Sequence, residues 1–287
     1  MDHVLRRLED PLRLEDVAAV AGFSPHHFHR VFQAAAGETL HEFVKRHRLE
    51  RALRRMAHAP RRPLTEIALE CGFASSSDFS RSFKARYGVP PSAFDLDAWS
   101  AERRAELQST VVDPRDPDLL AGLAPGENPD GFEVTLRRIP ARTVAYVRTH
   151  DPFRGGVAEA AARLVEWARA RGVEGGQWLG YMWEQPDLVA LADCRYDTGV
   201  VVDHVEPEGE GGRYDFPARL VAEVPIRGAI DLEQRALDWL YGTWLPTSGY
   251  EPDDQPGIEA WRGLPFGTGF EYFEVDLQLP VRPAFGG

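Results

Sequence analysis

Cysteine is scarce in this chain, and long apolar runs are absent. Only Cys71 and Cys194 occur, in separate predicted domains, so we expect neither a disulfide framework nor a zinc site. No apolar run approaches the length that spans a membrane, and the N-terminus lacks the pattern of a signal peptide. We therefore expect a cytoplasmic protein without a membrane contact, a bound metal or a cofactor.

Positive charge is also in short supply, and its excess is confined to the N-terminal part. The chain has a net charge of −12, to which residues 1–95 contribute +3 and the other 192 residues −15. An acidic body repels a polyanion, so only the N-terminal part can bind one, with moderate and strongly salt-dependent affinity. With 43% hydrophobic residues, the chain can bury two ordinary cores, which agrees with this division.

A two-helix unit is written twice in the N-terminal part. Residues 14–43 recur as residues 64–94, at an offset of 50 before the turn and 51 after it. In each copy a short helix with apolar residues at helical spacing runs into Gly22 or Gly72. A glycine there can adopt the positive φ that ends a helix. Each copy therefore predicts a helix-turn-helix, and the pair predicts a two-headed domain over residues 1–95.

The second helix of each copy has one apolar face and one polar face. Ser24-Pro25 and residues 74–76 supply its start, since serine caps a helix and proline suits a first helical position. A longer helix, residues 42–57, is predicted to set the spacing of the two helix-turn-helix units. We predict that the apolar faces are core and that the polar faces point outward. The predicted core positions are Phe28, Val31, Phe32 and Ala35 in the first copy and Phe79, Phe83 and Tyr87 in the second.

Residues 8–95 resemble the DNA-binding domain of the AraC/XylS transcription regulators. The resemblance implies two recognition helices in successive major grooves on one side of the DNA, about 34 Å apart. A bundle of solvated helices is the plainer alternative, but both copies keep a polar outward face at the same helical positions. The motifs that carry the resemblance are residues 14–18, 22–24, 27–32, 67–68, 71–73, 79–84 and 88–92, together with the arginine-rich linker helix.

By position in that family, the outward face of each second helix reads bases. Arginine can form bidentate hydrogen bonds with guanine, and short polar side chains let a helix lie close in the groove. Asp78 departs from the uncharged residue more often seen there; it could accept from a cytosine amino group or exclude wrong sequences. His26 and His29 could equally be ordinary surface. The predicted base-reading residues are His26, His29, Arg30, Ser76, Ser77, Asp78 and Arg81, and the predicted phosphate contacts are Lys45, Arg46, Arg48, Arg61, Arg62, Lys84 and Arg86.

Residues 96–131 are predicted to connect two domains. Residues 99–110 have the composition of a short charged helix, and two stretches with paired prolines, 113–117 and 125–129, follow it. Such a connector would allow the two domains more than one arrangement.

The C-terminal part, residues 132–287, also contains a repeat. Residues 140–147 return 77 residues later, and an amphipathic helix follows each copy, at 157–171 and 232–245. Further strands are predicted at about 187–203 and about 269–281. The predicted fold class is thus an all-α domain with two helix-turn-helix units, followed by an α+β domain. The latter would contain two strand-helix-strand-strand modules about a pseudo-twofold axis.

Four stretches of this part, residues 139–142, 194–200, 258–261 and 275–281, resemble the GyrI-like effector-binding domain. The resemblance implies a cleft between the modules that binds small, often hydrophobic and cationic molecules, with aromatic walls and a buried glutamate. Aromatic faces attract cations when water is excluded, which gives the composition an independent rationale. By motif position Glu259 is the first choice for the glutamate, followed by Glu184 and Glu271. The other predicted ligand-binding residues are Trp178, Tyr181, Trp183, Trp239 and Trp261, although such tryptophans can equally be core.

These features predict a one-component transcription regulator in which a small-molecule effector controls DNA binding. Its partners would be double-stranded DNA, the effector and, by the resemblance, RNA polymerase, with activation favoured over repression. The oligomeric state stays open, because two helix-turn-helix units in one chain can read adjacent grooves without a dimer. The first alternative is a hydrolase of reactive small molecules, in which Tyr181 or Tyr272 assists a pocket glutamate. The second is a DNA binder that responds to no ligand. We predict that the protein is not an enzyme.

Overall fold

The computed structural model describes residues 1–111, 123–206, 209–267 and 272–284. The chain divides into two compact units, Met1–Trp99 and Ser100–Gly287. The division lies close to the predicted end of the first domain at residue 95. Across these described segments, no helix is both long enough and apolar enough to cross a bilayer. The first proline stretch of the predicted connector, residues 113–117, lies outside the described residues.

The first unit is helical and contains both predicted helix-turn-helix motifs. Gly22 and Gly72 adopt φ values of 72° and 86°, as the turns require. Serine caps both second helices: Ser24 accepts a hydrogen bond from the His27 amide, and Ser75 from the Asp78 amide. The helices are α1 (Asp2–Leu5), α2 (Leu14–Val20), α3 (Pro25–Ala36), α4 (Leu40–His58), α5 (Leu64–Glu70), α6 (Ser76–Tyr87) and α7 (Leu96–Val111), of which α7 continues into the second unit.

The linker helix α4 begins earlier than predicted. Thr39 and Glu42 form a capping box, in which each side chain accepts a hydrogen bond from the backbone amide of the other residue. The box satisfies amides at the start of the helix and places the first helical residue at Leu40. Residue 42 therefore lies in the first turn of the helix.

The core of the first helix-turn-helix is narrower than predicted. Phe28 and Phe32 of α3 are buried against Phe43 and Val44 of α4. Val31 is 40% exposed and Ala35 is exposed, so the prediction that these two are core is wrong. The neighbouring helices α2 and α4 cover the stripe that contains Phe28 and Phe32 and leave the adjacent positions of α3 in contact with solvent.

The second unit is built on one antiparallel sheet with helices. Helix α8 spans the residues predicted for it, whereas the predicted helix 232–245 begins as α9 and continues through a π-helical turn at Leu240–Trp244 into α10. The strands are β1 (Thr135–Ile139), β2 (Arg142–His150), β3 (Trp178–Met182), β4 (Arg195–Val202), β5 (Gly211–Phe216), β6 (Arg219–Gly228), β7 (Tyr250–Pro252), β8 (Gly257–Trp261) and β9 (Phe273–Pro283), and the helices are α8 (Val157–Arg171), α9 (Ile230–Trp239) and α10 (Leu245–Ser248).

The sheet is symmetric in its strand order, which confirms the predicted pair of modules. The order is β1-β6-β9-β8-β3-β4-β2-β5, with β7 added beside β9. The strands β1, β2, β3 and β4 of the first module correspond to β5, β6, β8 and β9 of the second. When each is exchanged with its counterpart, the order reads the same from the opposite end of the sheet. Each module begins with one strand more than predicted, β1 or β5. These two strands are exchanged: β1 pairs with β6 of the second module, and β5 pairs with β2 of the first.

The sheet has two buried faces of different character. The first, called the helix face, packs Trp178, Val200 and Trp261 against residues of α8 and α9 such as Leu164 and Trp239. The second, called the far face, buries a cluster of strand side chains. Side chains alternate between the faces along each strand, so residues two apart share a face. The buried residues of the far face are Val144, Tyr146, Leu179, Tyr181, Tyr214, Phe216, Ile258 and Ala260.

Candidate functional site

The predicted base-reading residues lie on the two second helices, and four of them are fully available to solvent. His26 and Arg30 on α3 are exposed, as are Ser77 and Arg81 on α6. The others, His29, Ser76 and Asp78, are half-buried. His29 lines a surface cavity of about 510 Å³ together with Arg13, His41 and Arg48 of the same unit.

The predicted phosphate contacts fall into two groups. Three of their guanidinium groups are held by the domain itself: Arg46 pairs with Glu38 and Glu50, Arg48 donates to the carbonyls of Leu8 and Asp10, and Arg62 pairs with Glu70. These bonds use part of the donor capacity of each group and restrict its movement toward a phosphate. Lys45 is half-buried, and the exposed members of the set are Arg61, Lys84 and Arg86.

Glu259 lies at the centre of the second unit, on the helix face of β8. It pairs in register with Gly180 of the neighbouring strand β3, across the junction of the two modules. Its Oε2 accepts a hydrogen bond of 2.6 Å from the hydroxyl of Tyr196 on β4. A Cβ atom at Gly180 would overlap that hydroxyl and approach Glu259 Oε2 to 2.6 Å, so glycine leaves the space in which the two polar groups meet.

A second carboxylate, Glu233 of α9, faces the same place. It is buried, and its pKa is raised well above the ordinary value by burial and then by the charge of Glu259. Burial raises the pKa of Glu259 to about 7, opposed by hydrogen bonding from Tyr196 and Trp261. Burial and the adjacent Glu259 also raise the pKa of the Tyr196 hydroxyl. Both pKa values are raised, and a cationic neighbour would lower them by favouring the ionised carboxylates.

Aromatic rings surround these carboxylates on the helix face. Trp178, Trp239 and Trp261 belong to the buried cluster of this face, and the ring of Phe266 lies 4.7 Å from that of Trp261. Phe266 has a φ of 56°, which is strained for a bulky side chain. Strain of this kind is common at ligand sites. The three tryptophans predicted to bind ligand thus share a face with Glu259.

The remaining predicted ligand residues that the structure describes lie elsewhere. Tyr181 and Trp183 belong to the far face, where their rings are 5.9 Å apart. Glu184 is buried in an ion pair with Arg195. Tyr272 is 49% exposed, and Glu271 lies outside the described residues. The structure therefore brings together Glu259, Trp178, Trp239 and Trp261, and it places Tyr181, Trp183 and Glu184 elsewhere.

Sequence reasoning missed three residues of this arrangement. Tyr196 lies in one of the stretches that carry the family resemblance, but nothing in the sequence indicates that its hydroxyl contacts Glu259. Glu233 has a clearer signal: it shares an apolar helical stripe with Ala236 and Leu240, where a charged residue is out of place. Recognising Gly180 would have required the register between β3 and β8, which the sequence does not show.

Comparison with known proteins agrees with this division of the chain. A family model described as a helix-turn-helix domain matches residues 17–96. The model of the GyrI-like small molecule binding domain matches residues 132–282, which is more than half of the chain.

Individual relatives match the N-terminal part. The transcriptional regulator Rob of Salmonella typhimurium is 36% identical over 98 residues, which are 33% of this chain and 32% of Rob. The probable transcriptional regulator LumQ of Photobacterium leiognathi is 30% identical over 95 residues, 33% of this chain and 38% of LumQ. The chain thus spans about a third of the length of these curated relatives.

Among solved structures, the C-terminal domain of EcmrR aligns with 54% of this chain and 99% of its own, at 16% identity and a TM-score of 0.42. The DNA-binding domain of AdpA, solved with a target DNA, aligns with 36% of this chain and 90% of its own, at 26% identity and a TM-score of 0.32.

The family assignments follow from the two matched segments and from the elements found in each. The first segment contains the duplicated helix-turn-helix, and the second contains the symmetric sheet with its central glutamate. Through residues 132–282 the chain belongs to the GyrI-like small molecule binding domain family, and it carries an AraC-type helix-turn-helix DNA-binding domain in front of it.

Proposed function

We propose that this protein is a one-component transcription regulator whose effector is a lipophilic organic cation. The observation that carries the proposal is a buried glutamate, Glu233, facing the half-buried Glu259 on the helix face beside tryptophan rings. The effector would bind there, and DNA would bind the two outward helices α3 and α6.

The chemistry of the site favours a cation with apolar groups. Two carboxylates brought together by burial repel each other when both are charged, and a positive charge between them removes that cost. The indole rings of Trp178 and Trp261 would contact the apolar part and add attraction between the cation and the ring faces. A neutral molecule of the same shape would gain only the apolar contact.

Helix α9 provides a route from the effector to the DNA-binding part. It carries Glu233 at the site and, five residues on, Asp238, which accepts a hydrogen bond of 3.0 Å from Arg104 of α7. Asp187 also hydrogen-bonds Ser100 of α7. A shift of α9 on effector binding would alter these contacts, and α7 is the helix that begins in the DNA-binding unit. An effector that favours one state of this contact would then change DNA affinity.

On the DNA side, Arg30 and Arg81 are the strongest candidates for base readout. Both are exposed and lie at matching positions of the two second helices. Arg61, Lys84 and Arg86 would contact phosphates, since their side chains are exposed. We assign Arg46, Arg48 and Arg62 to domain stability instead, because their guanidinium groups are bound within the fold.

The test of the whole proposal is selection of bound sequences from a random DNA library. Full-length protein is used at fixed salt, with and without a panel of lipophilic cations that includes tetraphenylphosphonium. Tetraphenylborate, of the same shape and opposite charge, is the control. We expect a bipartite site with half-sites one helical turn apart, and a change in affinity with the cation alone. Failure to enrich any sequence under all conditions would refute the regulator assignment.

Base and phosphate roles are separated by matched variants. Arg30→Ala or Arg81→Ala should cost about 1–3 kcal/mol at one base position and relax sequence preference there. Lys84→Ala should weaken binding to all sequences alike and reduce the dependence on salt. Unchanged specificity in both arginine variants would show that the recognition faces are assigned wrongly.

We further propose that DNA binding activates transcription, with RNA polymerase as the partner. The support for this proposal is the resemblance of the N-terminal part to the AraC/XylS regulators. In a purified transcription reaction with the selected site upstream of a promoter, the transcript should increase when the protein is added. A decrease would identify a repressor.

A second candidate function is hydrolysis of a reactive small molecule. The specific observation in its favour is a glutamate whose pKa is raised to about 7 and whose carboxylate is hydrogen-bonded to a tyrosine. Such a group can serve as a general acid or base at neutral pH. Turnover of a bound compound that is lost in Glu259→Gln would support this function, and recovery of the compound unchanged would count against it.

A further inference from the structure

Two arginines on the far face of the C-terminal sheet form no ion pair with any described residue. Arg142 begins β2 and Arg219 begins β6, so the internal repeat places them at equivalent positions in the two modules. Both guanidinium groups lie beside the ring of Phe216, with Cζ atoms 5.9 Å and 4.5 Å from its centroid. Within the part of the chain that the structure describes, neither side chain takes part in an ion pair.

The hydrogen bonds of these guanidinium groups are few and long. Arg142 donates from Nη2 to Gln278 Oε1 at 3.5 Å. Arg219 donates to the carbonyl of Pro217 at 3.3 Å and to Gln255 Oε1 at 3.4 Å. Bonds of this length are weak. Nε of Arg142 and Nη2 of Arg219 are buried without a partner among the described residues.

Two other arginines of the same face each have a carboxylate partner. Arg148 donates to both carboxylate oxygens of Asp197, at 2.8 and 2.7 Å, and Arg195 is paired with Glu184. The fold can therefore supply a carboxylate where a guanidinium group is buried. Its failure to do so for Arg142 and Arg219 marks these two as exceptions.

Burial without an ion pair makes the two cations costly, although the charge of Asp253 acts on Arg219 and partly opposes the effect. Burial lowers the pKa of Arg142 to about 10 and that of Arg219 also to about 10, and in Arg219 the nearby charge of Arg142 adds to the effect. A carboxylate presents two oxygens that can each accept from a guanidinium group. It would supply the missing charge, and the rings of Tyr214 and Phe216 would cover an apolar body attached to it. Arg142 remains partly exposed, which leaves a path from solvent.

We propose that Arg142 and Arg219 form a binding site for a small organic carboxylate on the far face of the sheet. The site is separate from the cation site on the helix face and does not depend on the proposed function. The carboxylate would lie between the two guanidinium groups and accept hydrogen bonds from both.

The direct test is titration of the full-length protein with benzoate. Calorimetry gives the affinity, and the ¹⁵N signals of the arginine side chains report which guanidinium groups respond. We expect saturable binding that shifts the Nε signals of Arg142 and Arg219, with no such shift from the neutral control benzamide. Arg142→Gln or Arg219→Gln should weaken binding by about tenfold or more. Binding that neither substitution weakens would overturn the proposal.

Inorganic phosphate distinguishes an organic carboxylate from anions in general. If the apolar surface contributes, benzoate binds more tightly than phosphate. Phosphate binding as tight as benzoate or tighter would refute the assignment to an organic carboxylate. Benzoate binding is measured without cation and without DNA, so that a failure of the cation site and a failure of this site are distinguishable.

Thermal stability provides a second readout if a glutamine variant folds poorly. Replacing an uncompensated buried cation with an apolar side chain should keep or raise the melting temperature, so we expect this of Arg142→Met and Arg219→Met. Benzoate should raise the melting temperature of the natural protein but not of these variants. The matched control is Arg148→Met, which should lower it because Asp197 loses its partner. Melting temperatures lowered as much as in the control, with no benzoate effect on the natural protein, would show a structural role and overturn the proposal.

Discussion

The two faces of the C-terminal sheet bury groups of opposite charge, and neither pair is compensated by the other. On the helix face burial raises the pKa of Glu259 to about 7 and that of Glu233 further. On the far face burial lowers the pKa of both Arg142 and Arg219 to about 10. Because side chains alternate along a strand, the sheet itself separates the two pairs. On each face two like titratable groups lie close together, and an opposite charge would favour their ionised forms.

The same domain pairs its other buried charges closely. Arg148 with Asp197 and Arg195 with Glu184 show that ion pairs form where strand register brings the partners to one face. Uncompensated charge is therefore not a general property of the domain. Glu233 with Glu259, and Arg142 with Arg219, lie where equivalent or facing elements of the modules meet.

The largest expected effect tests the charge of the helix face. Replacing both Glu233 and Glu259 with glutamine should weaken tetraphenylphosphonium binding by about 2–5 kcal/mol, because the cation then enters a site without a counter-charge. Calorimetry measures the affinity. The control is Glu223→Gln, a buried carboxylate on the far face that is paired with Arg137, and it should leave cation affinity within about twofold. Equal losses in both variants would mean that the cation does not bind on the helix face.

The next prediction concerns the space that Gly180 leaves for Glu259 and the Tyr196 hydroxyl. Gly180→Ala should destabilise the protein by about 1–3 kcal/mol, since the new methyl group overlaps the Tyr196 hydroxyl. Gly257→Ala, in the adjacent strand, meets no atom within 4 Å and should have little effect. Urea unfolding of both variants measures the difference. Similar stabilities would show that Gly180 does not shape the site.

The raised pKa of Glu259 predicts how the stability of the folded protein depends on pH. The pKa of Glu259 in the folded protein, about 7, lies above its ordinary value of 4.5, so the folded state binds more protons between these two values. The stability that this group contributes is present below pH 4.5 and is lost as pH rises through about 7. Compared with Glu259→Gln, the natural protein should lose on the order of 1–3 kcal/mol of unfolding free energy over this range. Parallel pH profiles of the two proteins in urea unfolding would contradict the assignment.

The smallest expected effect concerns communication from the helix face. Arg104→Ala should preserve cation affinity and DNA affinity when each is measured alone, but reduce the effect of the cation on DNA binding by about 1 kcal/mol. Arg103→Ala is the control, since Arg103 pairs with Glu102 and Glu106 of its own helix. DNA titrations with and without tetraphenylphosphonium measure the coupling. A normal cation effect in Arg104→Ala would exclude the route through α9 and α7.

Much of the fold could be predicted because its information is local. The glycine turns, the serine caps and the bounds of α8 depend on residues that are neighbours in the chain. The internal repeats then predicted two helix-turn-helix units and two modules. Val31 and Ala35 were assigned wrongly because a periodic pattern shows which side of a helix is apolar, but not how wide a stripe its neighbour covers.

The candidate site was only partly predictable because its geometry is not local. Glu259 and the tryptophans could be named from motif and composition. Whether Tyr181 and Trp183 face Glu259 depends on strand register, and a shift of one residue moves a side chain to the other face. The exchange of β1 and β5 between the modules is likewise a matter of pairing, which no stretch of sequence displays by itself.

By itself the sequence determined the two-domain plan, the duplicated helix-turn-helix and the family of each part, because repeats and short-range patterns survive in the linear order of residues. Only the tertiary structure decided that Glu233 joins Glu259 and Tyr196 on one face while Arg142 and Arg219 meet on the other. The physical reason is that burial and the distance between charges, which raise the carboxylate pKa values and lower the guanidinium ones, arise when distant strands and helices pack together.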